Sequence, residues 1–197
     1  SAIAWGRAQN MPKDNTERAV KKSYDENAEN YEEVRYEGFG IEGVGIIVES
    51  LTDNRNRTAG DIRSIFSKHG GNLGETGSVS FMFNHLGIIK FSLEAGSFED
   101  IFEIATDAGA LDCDSTDDGY EIFCSTDDLH QVAEIIEGSV KIPITSQLSW
   151  RPTNQIPLDK EKALKVLGMI DVLDDHDDVQ EVFANFDLPE EIFNEMS

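Results

Sequence analysis

The stretch from Gly87 to Pro152 orders its elements in a way that leaves few folds open. Ile88 to Leu93 alternates as a strand, and Phe98 to Ala108 has helical spacing with Ser97 as its cap. Leu111 to Asp114 and Tyr120 to Cys124 read as a hairpin around "STDDG". Asp127 to Glu137 then predicts a helix and Ile144 to Trp150 a last strand. The order βαββαβ is the split-βαβ, ferredoxin-like arrangement, and it is complete within these residues.

The flanks are incomplete by the same reading. Tyr31 to Glu37 alternates as a strand, "GFGIEGVG" turns, and Val44 to Leu51 predicts a buried strand. Asp53 or Asn54 caps a helix running to about His69, stopped by Gly70 and Gly71, and Ser78 to Phe83 reads as a strand. After the central unit come a helix from Asp159 to about Leu173 and a strand from Val179 to Phe186. The two flanks, ββαβ and αβ, together make a second four-strand, two-helix domain. The expectation is an α+β chain: an N-terminal helical segment followed by two ferredoxin-like α+β domains, one inserted into the other. Residues 1–23 are read as the remainder of an N-terminal helical domain, 30–85 plus 153–188 as the interrupted α+β domain, and 86–152 as the insert. In the first of these, Asn10 caps and Pro12 opens a helix that carries Lys21 and Lys22 at its C-terminal end. The chain opens at Ser1 and enters directly into helix-like sequence, which suggests a processed, trimmed or fragmentary N-terminus.

Charge narrows the function classes. The formal net charge is −23, yet ten of the sixteen Lys and Arg fall within the first 68 residues, and no Lys or Arg lies between Phe91 and Lys141. Strong acidity reduces non-specific attraction to phosphate backbones, so any nucleic-acid contact has to be local. The local exception is "LTDNRNRTAGDIRSIFSKHGGNLG", where Arg55, Arg57, Arg63 and Lys68 crowd together. Arg55 and Arg57 stand at a helix start, where the dipole disfavours cations and Asp or Glu is expected. Two arginines there suit planar, bidentate phosphate contacts. No apolar run is long enough for a membrane helix, and no signal peptide is present, so a soluble, cytoplasmic protein is expected.

Other motifs resolve to plainer readings. "DCDSTDDGYEIF" places Asp and Gly as a calcium loop would, but Ser125 stands where the bidentate Glu belongs, and a β-turn explains the same letters. "LDDHDD" (173 to 178) reads as a solvated loop after a helix end. "GGNLGETG" lacks the phosphate-loop lysine and leads from helix to strand, so its glycines read as a helix stop and a turn. The four histidines lie in different elements and no catalytic constellation forms, so no enzyme, metal or cofactor is expected. Cys113 and Cys124 read as free thiols: if the hairpin turns at Asp117–Asp118, Cys113 faces Ile122 and Leu111 faces Cys124, on the core side.

Several of these segments carry a family resemblance. "NMPKDNTERAVKK", "YEEVRYEGFGIEGVGIIVE", "LTDNRNRT", "KHGGNLG", "GSVSFMF" and "DVQEVFANFDLPEE" resemble, in order and over almost the whole chain, the YebC/PmpR family. That family includes the mitochondrial translational activators of cytochrome oxidase. The family's basic N-terminal segment with its GHSKW-like sequence is absent. Ile41-Glu42 stands where Pro-Gly is usual, and Trp150-Arg151 where an apolar pair is usual. The resemblance implies three domains, with one α+β domain inserted in another, and regulation of gene expression without chemistry. The leading expectation is a DNA-binding transcriptional regulator, with Arg55, Arg57, Arg63, Lys68 and the Lys13, Lys21 and Lys22 helix facing phosphates. The alternative is a ribosome-associated translation factor or translational activator using the same residues on RNA. For a eukaryotic member, the compartment implied is the mitochondrial matrix.

Overall fold

A computed structural model describes residues 30–196, so the helical segment expected over 1–23, with Lys13, Lys21 and Lys22, lies outside the described residues. The elements in chain order are β1 (Glu32–Phe39), β2 (Gly45–Thr52), α1 (Arg55–Lys68), β3 (Asn72–Leu73), β4 (Phe83–Phe91), α2 (Phe98–Ala108), β5 (Asp112–Ser115), β6 (Tyr120–Cys124), α3 (Leu129–Val140), β7 (Thr145–Pro152), β8 (Ile156–Pro157), α4 (Lys160–Asp175), β9 (Val179–Ala184), β10 (Phe186–Asp187) and α5 (Glu190–Met196). They form a mixed α+β chain with two four-stranded sheets. The chain divides into two compact units, one running from Asn84 to Arg151 and the other made of the described residues on either side. No described helix is long and apolar enough to cross a membrane.

In the flanking unit the sheet order is β3-β1-β2-β9, and β8 pairs in parallel with β10. Residues directly opposite one another share a face, and alternate residues take opposite faces. Tyr36 opposite Val48, Gly38 opposite Ile46, and Val48 opposite Val182 therefore define one face. There Ile62 and Phe66 of α1 and Val166, Met169, Ile170 and Leu173 of α4 close the core. Gly38 is what lets α1 and β3 come in: a Cβ on it would stand 2.6 Å from both the Asn72 carbonyl oxygen and the Phe66 ring. The other face carries Glu37 opposite Ile47 opposite Phe183, and all three are buried. Both faces are covered, so β2 reads as an unbroken apolar run at Ile46–Ile47–Val48.

That second face is covered by the chain between β3 and β4, where one expectation fails. Ser78 to Phe83 is not a strand; a single 3-10 turn spans Ser80–Met82, and the third strand of this sheet is Asn72–Leu73. The reason is Glu37. Its side chain is 1 % exposed, and it accepts the amides of Gly77 (2.7 Å), Val79 (3.2 Å) and Ser80 (2.7 Å), with Arg35 Nε at 3.2 Å. Amides that point at one carboxylate are not available to a ladder. Val79 is fully buried beneath this loop, while Phe81, in phase with it, is 74 % exposed. Alternating apolar letters resembled a strand but do not share one environment.

In the unit from Asn84 to Arg151 the strand order is β5-β6-β4-β7, with β6 antiparallel to both β4 and β5. Ile89, Phe91, Cys113, Tyr120, Ile122 and Cys124 meet Ile101 and Ala105 of α2 and Val132, Ala133 and Ile136 of α3 in one core. Cys113 lies opposite Ile122, the turn falls at Asp117–Asp118, and both cysteines are free and buried; Leu111, expected on the core side opposite Cys124, precedes β5 and is instead 67 % exposed. Phe123 faces away from this core yet is 4 % exposed. The Arg151 guanidinium lies 4.0 Å from its ring centroid and is held there by Asp112 and Asp114, each at 2.8 Å. Its neighbour Trp150 stacks on His85, with ring centroids 4.1 Å apart. The Trp150-Arg151 pair thus fills two specific positions in this unit.

Candidate nucleic-acid interface

Helix α1 begins where Asn54 adopts an extended backbone and its side chain accepts the Arg57 amide at 3.1 Å. Thr58, Ile62 and Phe66 recur at helical spacing and are fully buried, which fixes the outward side of the helix. Arg55, Arg57, Arg63 and Lys68 are all exposed. They are not one compact cluster. At 100° per residue, Arg57 and Lys68 point in nearly the same direction, and Arg63 lies about 140° round the axis from Lys68. The strip between them carries Gly60, Ser64 and Ser67, all exposed. A Cβ at Gly60 would meet nothing within 4 Å, so packing does not require a glycine there. Mid-helix glycine costs about 1 kcal/mol relative to alanine. Its effect is to keep this strip low, with the helix backbone accessible between flanking cations.

The four cations differ in how firmly they are held. Arg57 Nη2 lies 3.0 Å from Asp53 Oδ1 and 3.0 Å from Asp178 Oδ2. Asp178 is buried, and the Thr58 hydroxyl donates to the same Oδ2 at 2.8 Å. Thr58 has one hydroxyl proton and a carboxylate only accepts, so the Thr52 hydroxyl, 2.7 Å away, supplies its own proton to Thr58 Oγ1. Thr52 Oγ1 in turn accepts the Asn54 amide at 2.9 Å. A cation at the unfavourable end of the helix is explained by this intramolecular network. Arg55 makes one weaker pair, Nη1 to Glu32 Oε2 at 3.4 Å, with both side chains largely exposed. A pair of that kind contributes about 0 to 1 kcal/mol and releases readily to a stronger anion. Arg63 and Lys68 form no ion pair with any described residue.

The run 173–178 is not the solvated loop expected from its letters. Asp174 and Asp178 are buried. The Asp178 amide donates to His176 Nδ1 at 3.1 Å, so that nitrogen is unprotonated and the ring proton sits on Nε2, which donates to Asp61 Oδ2 at 2.9 Å. The turn between α4 and β9 is therefore tied to α1 at Asp61 and again at Arg57 and Thr58. Sequence reading had no signal for this, because the partners are more than a hundred residues apart. Among the described residues, no three His, Cys, Asp or Glu side chains are grouped so as to hold a metal ion.

A crystal structure of a conserved hypothetical protein from Aquifex aeolicus is similar, at 40 % identity over 97 % of this chain and 79 % of that one, with a TM-score of 0.78. The model describing the second and third domain of TACO1/YebC matches residues 31–186, a span that takes in both sheets, α1 and the buried network that anchors it. A match over that much of the described fold assigns the chain to the TACO1/YebC family.

Proposed function

We propose that this chain is a non-enzymatic, nucleic-acid-binding regulator of gene expression, and first of all a DNA-binding transcriptional regulator. In this reading a ferredoxin-like domain is inserted into the flanking α+β unit, and the flanking unit carries the interface through α1. The order β5-β6-β4-β7 over a βαββαβ chain supports that description of the insert. The observation that carries the function is the exposed side of α1. It offers Arg63 and Lys68 on either side of a low strip of Gly60, Ser64 and Ser67, on a helix tied from beneath to Asp178, with Arg55 exposed at the first turn beside Glu32. Phosphate oxygens can approach between the cations, and nothing in the strip reads base edges, so affinity there is set by charge and shape. Arg57 serves in this reading as the anchor of the helix rather than as a phosphate ligand. Lys13, Lys21 and Lys22 extend the proposed surface. The family's transcription-regulator name supports the DNA reading.

A second reading, a translation factor on ribosomal RNA, is favoured by the net charge of −23. Such a body is repelled along a naked duplex but tolerated where basic proteins stand beside RNA. Anisotropy titrations of the whole chain with duplex DNA and with structured RNA across a salt series test the proposal. The Arg55→Ala/Arg63→Ala/Lys68→Ala variant should bind more weakly and lose about 0.7 to 0.9 of salt slope per phosphate contact removed. Unchanged affinity and slope would remove α1 from the interface. Co-sedimentation with ribosomes at physiological salt, against retention on DNA, separates the two targets.

A further inference from the structure

The second unit has a surface of the opposite character. Residues 92–140 hold fourteen Asp and Glu and no Lys or Arg. On α2 the acids are ordered: Glu99, Glu103 and Asp107 follow one another at four-residue intervals and all are exposed. Like charges at that spacing repel across each turn, and Asp107 adds a negative charge at the negative end of the helix dipole. Glu99 in the first turn suits the dipole, but Glu103 and Asp107 work against the helix that carries them, and no Lys or Arg in this segment offsets them. Beside the stripe, Phe98 and Phe102 repeat at the same interval, 43 % and 51 % exposed. Their rings lie 6.0 Å apart, and Phe98 continues to the buried Tyr120 at 6.5 Å. The aromatics thus run as a ladder from core to surface, and the outer rings are anchored.

We infer that this face of α2 is a docking surface for a Lys- and Arg-rich polypeptide segment. Carboxylates at one-turn spacing complement its cations, and the exposed ring faces accept guanidinium groups by stacking and cation–π attraction. Nucleic acid is excluded by charge, and so is a second copy of this face. The inference rests on a different surface from the nucleic-acid proposal, and either can fail alone.

The test uses the full chain with a fluorescein-labelled Arg-rich peptide, a Lys-rich peptide of equal charge and a Glu-rich control. The Arg peptide should bind more tightly than the Lys peptide, the Glu peptide should not bind, and affinity should fall with salt. Glu99→Gln/Glu103→Gln/Asp107→Asn should weaken binding by about tenfold or more, while melting no lower than the parent because intrahelical repulsion is relieved. Phe102→Ala should lose affinity for the Arg peptide specifically. A control variant, Glu33→Gln/Glu75→Gln/Glu161→Gln, changes net charge equally on the other unit and should bind as the parent does. Equal losses in the two charge variants would reduce the effect to net charge and overturn the inference. So would direct binding of a labelled oligonucleotide in the absence of peptide, or concentration-dependent self-association, that Phe102→Ala abolishes.

Discussion

Replacing Glu37 with glutamine keeps the size of a side chain that is 1 % exposed and removes the acceptor that organises the loop over the sheet. Oε1 takes the Val79 and Ser80 amides and Oε2 takes the Gly77 amide and Arg35 Nε. A glutamine amide must point its NH2 at one of these donor pairs, so at least one amide loses its acceptor and meets another donor. Leaving a buried amide unsatisfied costs about 1–3 kcal/mol, and hydrogen bonds to a charged acceptor are worth about 1.5–3 kcal/mol each. Allowing water to reach Gly77 and Ser80 at the loop surface, the net loss should be about 3 kcal/mol. The pH dependence has a fixed sign. Burial alone would raise the Glu37 pKa, but the Gly77, Ser80 and Val79 amides outweigh it and hold the carboxyl below its ordinary 4.5. A depressed carboxyl stabilises the fold above its unfolded pKa and loses that contribution as pH falls through the folded value. The gap between parent and Glu37→Gln should therefore be full at neutral pH and close in acid, below 4.5. Because the chain has two units, amide exchange resolved by residue is the appropriate assay: Gly77, Val79 and Ser80 should lose protection while α2 and α3 keep theirs. Protected amides in the variant, or a stability gap that persists unchanged in acid, would refute the assignment of this carboxylate as the clasp of the loop.

Asp178→Ala should destabilise the flanking unit by about 1.5–3 kcal/mol, because it removes the charged acceptor of the Thr58 hydroxyl and the partner of Arg57, leaving that hydroxyl only the longer contact to the Asn54 carbonyl at 3.2 Å. Urea unfolding followed by exchange at α1 amides checks this, and a change within about 0.5 kcal/mol, the scatter of ordinary surface substitutions, would dissolve the proposed anchor. Burial pushes both thiols up, with Asp114 and Asp112 adding to the effect at Cys113 and Asp128 at Cys124. Thiol labelling of the native protein should accordingly be slow at neutral pH and rise to both cysteines on unfolding without reductant; rapid labelling of either would contradict the hairpin register.

Local order was legible in the letters wherever one face of an element meets one environment. Ser97, Asn54 and Asp159 each cap a helix through their own side chains, and the apolar spacing of α1, α2 and α4 marks their buried sides. The Cys113–Ile122 register followed from period-two alternation about a turn at Asp117–Asp118. The outward positions of Arg57, Arg63 and Lys68 on α1 followed likewise from helical geometry, whereas Arg55 falls in the direction of Ile62 and Phe66 and is exposed because it stands in the first turn. What alternation could not show was competition between distant groups. Val79 and Phe81 have the same period, but the Glu37 carboxylate captures the loop amides and sends one side chain to the core and the other to water. Arg57 and Lys68 share a helical direction, but only Arg57 meets Asp178, which stands beside it because β9 pairs with β2. Helix periodicity and capping act over a few residues and are written in the local sequence. Which cation is bound internally and which remains for a partner depends on pairings across the sheet, and these exist only once the chain has folded.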